Sequence, residues 1–444
     1  MSIDHWMMFS TFAEQDYFRF PKVNTYTGCI INANMASHAP AGLAAFLVEK
    51  TSGIRYIIDP LTHAFQHETS CITNSKNEVK KSIRELANNY GDPIMTKVGK
   101  KPLHPSDFAD NPADLNTLAA NCLQYQRTQL SEAILNNDSA KYLEGLELDT
   151  VKNPYSLVAP YFYMTRTTID EWLPHNVEMA KIAVSKKENS EKVFAEVVIH
   201  QNILLSEDNV NRIIMSYEDT GVDGFLIWVD ELDEHDSDIE ILSRLLTLVR
   251  GLRNNGLKEV INLHGGYFSI LAAGNAGRSA LTGVSHGPEF GEHRAVVPVG
   301  GGIPISRYYI PELHNRIRYR EARRILDDMG CLTSSEGFHT NVCNCETCQT
   351  VIEGKIDNFI KFGDFTAKNI PRGDGFVRRQ FPTTDAKEIC LKHYLERKVL
   401  EYKTAETKTK DELIAALSDS YAKYSQVMSL EEISHLKVWA KIFE

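Results

Sequence analysis

Three closely spaced cysteines are the residues of this chain best suited to hold a metal ion. The cluster has the pattern Cys-x-Cys-x2-Cys and consists of Cys343, Cys345 and Cys348. Thiols this close converge on one ion only through a tight turn, and a fourth soft ligand, His393, completes the tetrahedron that zinc prefers. Cys390 and His339 are alternatives for the fourth ligand. Four protein ligands leave no open coordination position, so we predict a structural zinc site that performs no chemistry.

The residues for a reaction must therefore lie elsewhere, and side chains at the ends of apolar runs are the best candidates. Asp59 ends one such run and Asp230 ends another. Other candidates follow these or similar runs, namely Phe65, Gln66, Tyr161, Tyr163, Gln201, Glu231, His264 and Gly265. Around one common mouth they would form a pocket for a polar, planar ligand. A carboxylate after a strand is also a common helix N-cap, which is the alternative role for Asp59.

A basic segment precedes the cysteine cluster and could bind a polyanion. It contains Arg307, Arg316, Arg318, Arg320, Arg323 and Arg324, followed at a distance by Arg372, Arg378 and Arg379. A local patch of this kind can steer a nucleic acid even on a chain whose net charge is −11. The alternative is a solvated helix face whose arginines pair with neighbouring acidic residues. We predict that Arg307, Arg316 and Arg318 bind nucleic acid.

Apolar runs alternate with helical patterns along the chain, and this alternation must position the candidate residues. The predicted strands cover residues 29–32, 43–49, 55–59, 156–161, 193–200, 222–229, 259–264, 279–285 and 294–299. Predicted helices at 167–187, 206–217, 237–254 and 267–276 separate the later strands. Units of this length pair their strands in parallel, and about eight strands favour a closed barrel, in which function lies at the carboxyl ends of the strands.

We therefore predict an α/β fold with a (β/α)8 TIM-like barrel at residues 1–330, interrupted by a polar helical insertion at about 75–150. A zinc-binding subdomain at 331–400 and a helical tail at 401–444 follow. An open, doubly wound sheet is the alternative. It is disfavoured because no Gly-x-Gly-x-x-Gly turn follows the first strand.

Composition indicates a globular protein of a reducing compartment. The chain has 444 residues, of which 43% are hydrophobic, enough for one large domain with appendages or for two or three domains. No apolar run approaches the roughly 20 residues of a membrane span, and the first residues lack the basic start and apolar core of a secretory signal. Eight cysteines, three of them clustered, suit the cytoplasm better than a disulfide framework. We expect a cytoplasmic protein with no membrane partner.

Together these motifs resemble the tRNA-guanine transglycosylase superfamily, whose members exchange a guanine in a polynucleotide for a 7-deazaguanine. The resemblance covers roughly residues 40–400 and is most specific in the cysteine cluster with Cys390-Leu-Lys-His-Tyr-Leu-Glu396. Asp59 with Phe65-Gln66 resembles the family's Asp-Ser-Gly-Gly-Phe-Gln motif, although the intervening segment is two residues longer and lacks both glycines. Gln201 is similar to the glutamine that reads the base, and His264-Gly-Gly-Tyr267 stands where the family has a Gly-Val-Gly-Thr turn.

Two departures make the chain more similar to the DNA-modifying DpdA branch than to the tRNA enzymes. Residues 281–287 read Leu-Thr-Gly-Val-Ser-His-Gly where the family has a Phe-Asp-Cys aspartate, and the Pro-Thr-Arg tract that follows is absent. The resemblance implies guanine in DNA as the substrate, with tRNA as the alternative, and a preQ0-like 7-deazaguanine as the incoming base. It also implies a helper ATPase that opens the duplex. The third hypothesis is a catalytically silent zinc-containing subunit that binds nucleic acid.

Base exchange at an anomeric carbon resembles retaining glycoside hydrolysis, in which one carboxylate attacks and a second group manages protons. The motif match implies that Asp59 is the general acid/base. We predict Asp230 as the nucleophile, with Glu231, Glu289 and Glu292 as alternatives. Only one of Asp230 and Glu231 can face the pocket, because adjacent strand residues point to opposite faces.

The target base must be flipped out of a duplex or presented in a single strand before such a pocket can hold it. The residues expected to bind the base are Phe65, Gln66, Gln201, Glu231, His264 and Gly265. An amide such as that of Gln201 offers both a donor and an acceptor to a purine edge.

Overall fold

Eight parallel strands form a nearly closed barrel at the centre of the computed structural model, which describes residues 2–11, 14–15, 17–19, 26–49, 54–108, 113–135, 153–188, 190–254, 257–288, 292–297, 305–372 and 375–444. The strands are β1 (Asp4–Phe9), β2 (Gly28–Asn32), β3 (Arg55–Asp59), β4 (Leu157–Val158), β5 (Val193–His200), β6 (Gly224–Asp230), β7 (Glu259–Asn262) and β8 (Gly283–His286). Their order in the sheet is β3-β2-β1-β8-β7-β6-β5-β4. Ile57 and Ser156 form a parallel bridge across the remaining seam, between β3 and the start of β4. The predicted α/β class and parallel pairing are confirmed.

Helices connect the strands and cover the outside of the sheet. They are α1 (Ala33–His38), α2 (Pro40–Glu49), α3 (Thr69–Ile72), α4 (Lys81–Tyr90), α5 (Ile94–Lys97), α6 (Ala113–Leu135), α7 (Ile169–Ser185), α8 (Glu207–Tyr217), α9 (Ile239–Arg253) and α10 (Tyr267–Ala273). Helices α3 to α6, with a 3-10 turn at Pro105–Phe108, form the expected insertion as far as residue 135, and residues 136–152 lie outside the described part. Other 3-10 turns cover Tyr17–Arg19, Thr62–Gln66, Gln201–Ile203 and Glu218–Thr220.

Residues along each strand alternate between the barrel interior and the helical layer, as the period of two requires. One core cluster fills the interior and includes Trp6, Met8, Ile30, Ile57, Phe194, Val198, Leu226, Trp228 and Ile261. The residues between them pack outward in the larger core cluster. Asp59, Glu196 and Asp230 follow the interior series of β3, β5 and β6, so this alternation directs three carboxyl groups into the barrel.

The chain after β8 forms two small antiparallel hairpins and a set of helices. β9 (Arg307–Ile310) pairs with β10 (Asn315–Arg318), and β11 (Phe365–Arg372) pairs with β12 (Gly375–Pro382). The helices are α11 (Tyr319–Asp328), α12 (Ser335–Asn341), α13 (Glu346–Ile352), α14 (Thr384–Thr407), α15 (Lys410–Tyr424) and α16 (Ser434–Phe443), with 3-10 turns at Pro311–Leu313 and Ile356–Gly363. α14 is continuous across the predicted boundary between residues 400 and 401 and packs on α10 and β9.

Three predictions about elements differ from the structure. Residues 43–49 belong to α2 rather than to a strand, because Pro40 suits the first helical turn and the alanines favour a helix. Residues 294–297 form no strand, and the rest of that predicted strand lies outside the described residues. β1 was missed because its run of buried residues is short and begins close to the first residue. No helix among the described residues is both long and apolar enough to cross a membrane.

Candidate active site and metal centre

The predicted metal ligands converge in the structure. The sulfur atoms of Cys343, Cys345 and Cys348 lie 3.8, 3.2 and 3.4 Å from Nδ1 of His393. All four residues are buried, and their ligand atoms lie within 4.8 Å of one another. This donor set of three thiols and one imidazole fits a metal ion such as zinc.

The surroundings of the cluster orient the imidazole for metal binding. Nε2 of His393 donates a hydrogen bond to the carbonyl of Tyr309 at 2.7 Å, which leaves the Nδ1 lone pair directed at the sulfurs. The ring of Tyr308 stacks on His393 at 4.4 Å, and its hydroxyl lies 3.3 Å from the sulfur of Cys348. A bound metal would hold β9, α13 and α14 together, because the ligands and their partners come from these elements or directly precede them.

The two alternative fourth ligands make other contacts. The thiol of Cys390 donates to the carbonyl of Phe362 at 3.3 Å. Nδ1 of His339 bonds to the carbonyl of Cys343 at 3.0 Å and does not join the ligand group. Cys390 and His393 are three residues apart on one face of α14, so the packing of the helix rather than its spacing decides which of them reaches the sulfurs.

Asp59 lies at the carboxyl end of β3 and is buried. Its Oδ1 accepts hydrogen bonds from the backbone N–H of Leu61 at 2.9 Å and from the hydroxyl of Tyr161 at 2.7 Å, while Oδ2 has no partner. Burial, the largest cause, raises the pKa of Asp59 to about 6, against the opposing effect of these hydrogen bonds. A carboxyl group with such a pKa can both give and take a proton near neutral pH.

Glu196 is a second buried carboxyl group beside Asp59, and the sequence analysis missed it. It lies in the middle of β5, and burial and the charge of Asp59 both raise its pKa well above the ordinary range. Neither carboxyl oxygen of Glu196 has a hydrogen-bond partner among the described residues, so nothing there compensates a negative charge beside Asp59. A charged residue inside an otherwise apolar strand pattern was the sequence signal that could have found it. Burial and the repulsion between the two carboxylates therefore favour a proton on one of them.

A chain of hydrogen bonds connects Asp59 to a cavity at the mouth of the barrel. The hydroxyl of Tyr161, while it donates to Asp59, can accept from Nδ1 of His63 at 2.9 Å. Burial lowers the pKa of His63 well below its ordinary value, which favours the neutral ring with one proton. His63 lines the cavity, which has a volume of about 140 Å³ and is also lined by Met8, Asn32, His67, Lys80, Trp228 and Arg294. Asp59 therefore reaches the cavity through Tyr161 and His63.

Asp230 is also buried at a strand end, and it holds part of the cavity wall in place. Its Oδ1 accepts from the backbone N–H of Val296 at 2.7 Å, and its Oδ2 accepts from the hydroxyl of Tyr163 at 2.6 Å. Glu231 has a positive φ of 60° and turns outward, with a side chain that is 60% exposed and lies 3.1 Å from Nε2 of His200. Of the two acidic residues, Asp230 is the one inside the barrel.

Gln66 and Phe65 are packed against protein groups. The amide of Gln66 accepts from the backbone N–H of Tyr163 at 2.6 Å and donates to its carbonyl at 3.1 Å. The ring of Phe65 is buried in the outer core, 6.3 Å from Tyr90. In this arrangement both residues fix the segments that carry Tyr161 and His63.

The other expected base-binding residues have different environments. Gln201 is half-buried in the 3-10 turn after β5. His264 is buried 4.8 Å from the ring of Trp228, burial lowers its pKa to about 3, and its Nε2 has no partner. A side chain at Gly265 would come within 2.5 Å of Val284, so close packing requires glycine there. Glu289 lies outside the described residues.

Glu292, the remaining alternative nucleophile, belongs to a buried ion cluster beside the barrel. Nζ of Lys398 on α14 is fully buried, 2.5 Å from Glu292 and 2.8 Å from Glu401. Burial raises the pKa of Glu401, but Lys398 and His314 outweigh it and hold that pKa at about 2. These contacts join α14 to the barrel and leave Glu292 committed to an ion pair.

The predicted arginines lie together on the hairpin of β9 and β10. Arg307 and Arg318 are exposed and directly opposite each other in the antiparallel register. The guanidinium of Arg316 is half-buried, 4.9 Å from the ring centre of Tyr394. Burial and the neighbouring charges of Arg316 and Arg318 lower the pKa of Arg307, as expected for like charges held close together.

No family model matches the chain, and no curated protein matches it.

Proposed function

We propose that this chain is a base-exchange transglycosylase that replaces guanine in DNA with a preQ0-like 7-deazaguanine. The observation that carries the proposal is the pair of buried carboxyl groups of Asp59 and Glu196, with Asp59 connected by hydrogen bonds to a cavity at the carboxyl ends of parallel strands. The site of catalysis in TIM barrels is this same face, and we propose that the nearly closed sheet is such a barrel.

Asp230 is the proposed nucleophile, since it ends an inward-facing series on the wall of the same mouth. Its carboxylate would attack C1′ as the bond from C1′ to the guanine nitrogen breaks. For the leaving base to gain a proton, both hydrogen bonds of Tyr161 would reverse: protonated Asp59 would donate to Tyr161, Tyr161 would pass its own proton to Nδ1 of His63, and Nε2 of His63 would pass a proton to the base. The incoming base would return that proton and attack C1′, breaking the ester bond to Asp230. Tyr163 must release Asp230 before the attack, since its hydroxyl now bonds to Oδ2.

The cavity must become larger before a purine can bind. A volume of about 140 Å³ is comparable to cavities that hold one benzene ring, so a two-ring base needs movement of the wall. Lys80 and the segment 294–296 belong to this wall. Trp228 and His63 would then lie against the face or edge of the flipped base.

The metal has a structural role in this proposal. We propose a zinc-binding subdomain at residues 331–400, in which Cys343, Cys345, Cys348 and His393 hold one zinc ion and the helical tail follows from residue 401. The ion would fix β9 and β10, and thereby the arginines that we propose as contacts for DNA phosphates.

Mass spectrometry of nucleosides tests the proposal. DNA and tRNA would be digested separately from cells that express the protein with a 7-deazaguanine supply and the helper ATPase. We expect a deazapurine deoxynucleoside with the natural sequence and none with Asp59→Asn, a variant that keeps an oxygen able to accept both hydrogen bonds that Oδ1 accepts now. A modified ribonucleoside would favour the tRNA alternative, and no modified nucleoside in either pool would favour the silent subunit.

A further inference from the structure

The hairpin of β11 and β12 is a long ribbon that extends away from the barrel sheet. Its strands pair antiparallel from Phe365 opposite Pro382 to Arg372 opposite Gly375, and it shares no hydrogen-bonded strand with the other described sheets. Eight residues per strand correspond to roughly 26 Å at about 3.3 Å per residue. Most of its described side chains are exposed on both faces, although an isolated two-stranded ribbon gains little stability from its own contacts.

The ribbon places positive charges where they repel each other. Lys368 is directly opposite Arg379 on one face, and Arg378 follows on the other face opposite Asn369. Like charges directly opposite on paired strands destabilise a sheet. The described residues of the two strands include no acidic side chain, and Asp374, between the strands in sequence, lies outside the described residues. An anionic partner between these cations would remove the repulsion.

A hydrogen bond joins this ribbon to the arginine hairpin of β9 and β10. The guanidinium of Arg320, two residues after β10, donates to the side-chain oxygen of Gln380 at 2.8 Å. The hairpin of β9 and β10 also places like charges directly opposite each other, with Arg307 opposite Arg318. Two neighbouring hairpins thus form one basic surface on a chain whose net charge is −11.

Two exposed apolar side chains lie near the far end of the ribbon, beside the last pair of Arg372 and Gly375. Phe376 is 74% exposed and Val377 is 37% exposed, next to the end of the hairpin. An exposed aromatic side chain there adds nothing to the barrel core and suits contact with a base or sugar. A two-stranded ribbon also fits the major groove of a DNA duplex, which is about 12 Å wide.

We propose that this ribbon is an arm that binds the phosphodiester backbone of the nucleic acid beside the target nucleotide, with Lys368, Arg378 and Arg379 on phosphates and Phe376 at the tip against a base or sugar. The inference deepens the proposed function and rests on it for the identity of the polymer. Its binding chemistry is independent of base exchange, so the two can fail separately.

Nucleic-acid binding by full-length protein variants tests the arm. Fluorescence anisotropy would measure the affinity for duplex DNA, single-stranded DNA and an RNA hairpin of equal length, each at several salt concentrations. The test variant carries Lys368→Gln, Arg378→Gln and Arg379→Gln. The matched control carries Lys181→Gln, Lys403→Gln and Lys441→Gln. It removes the same number of positive charges, but from exposed positions on the helices α7, α14 and α16.

We expect the test variant to bind at least tenfold more weakly than the natural protein at about 0.1 M salt. The slope of log affinity against log salt concentration should also become shallower by about three, because each lost phosphate contact removes about 0.9 from it. Phe376→Ser should weaken binding without changing that slope. The preferred probe identifies the polymer as DNA or RNA. Equal losses in the test and control variants, or no loss in either, would overturn the arm. Loss confined to the test variant, in a protein that exchanges no base, would support the arm and refute the proposed function.

Discussion

Replacing Asp59 with asparagine should stabilise the protein at neutral pH while abolishing base exchange. Burial raises the pKa of Asp59 from 3.8 to about 6, so the folded chain binds this proton more tightly than the unfolded chain does. The stability that Asp59 contributes is therefore complete below pH 3.8 and is lost as the pH rises through about 6. At 1.36 kcal/mol per pKa unit, the ionised group costs about 3 kcal/mol at pH 8.

Asparagine fits the site because its oxygen can accept the hydrogen bonds from Leu61 and Tyr161 that Oδ1 accepts now. Its NH2 group would occupy the place of Oδ2, which has no partner, and would donate toward Glu196. The free energy of unfolding of the variant should therefore exceed that of the natural protein by about 2–3 kcal/mol at pH 8, and by little or nothing at pH 4.

Urea denaturation at fixed zinc concentration, carried out between pH 4 and pH 8, measures this difference. Asp107→Asn is a control of opposite sign, because Lys97 and Lys101 outweigh the effect of burial and hold the pKa of Asp107 at about 2. The control variant should be less stable than the natural protein by a nearly constant amount from pH 4 to pH 8, because the stability that Asp107 contributes is lost only as the pH falls from 3.8 through about 2. A destabilisation by Asp59→Asn that is equal at all pH values would refute a proton-sharing pair and make Asp59 an ordinary turn residue.

Three further perturbations test the remaining contacts. Tyr161→Phe removes a hydrogen bond that lowers the pKa of Asp59, so the pH–rate profile of base exchange should move to higher pH. The rate of base exchange should fall roughly tenfold to a hundredfold. An unchanged profile would exclude proton transfer through Tyr161. Lys398→Met leaves two buried glutamates without their cation and should lower the free energy of unfolding by roughly 3–5 kcal/mol in thermal or urea melts, whereas exposed Lys403→Met on the same helix should change it little. Cys345→Ser should abolish zinc binding in native mass spectrometry and Cys390→Ser should not, and equal zinc content in both would contradict the assigned ligands.

The sequence alone determined the features that depend on short stretches of chain. Runs of apolar residues with a period of two or without polar interruption marked β3, β5, β6 and β7, and the alternation of strands with helices indicated parallel pairing. The three clustered cysteines marked a metal site, because their spacing already brings them together. Residues 43–49 show the limit of such reasoning, since an apolar run with several alanines fits a helix as well as a strand.

The tertiary structure decided everything that depends on which strands are neighbours. Asp59, Glu196 and Tyr161 are far apart in sequence, and only closure of the sheet between β3 and the segment around β4 brings them together in the barrel interior. It also selected His393 over Cys390, because the direction of a helical side chain depends on how the helix packs. The opposed cations of the two hairpins likewise follow from strand register, which the arginine count cannot reveal. Local patterns therefore fixed the elements and the metal motif, whereas contacts between distant segments fixed the pair of buried carboxyl groups and the shape of the basic surface.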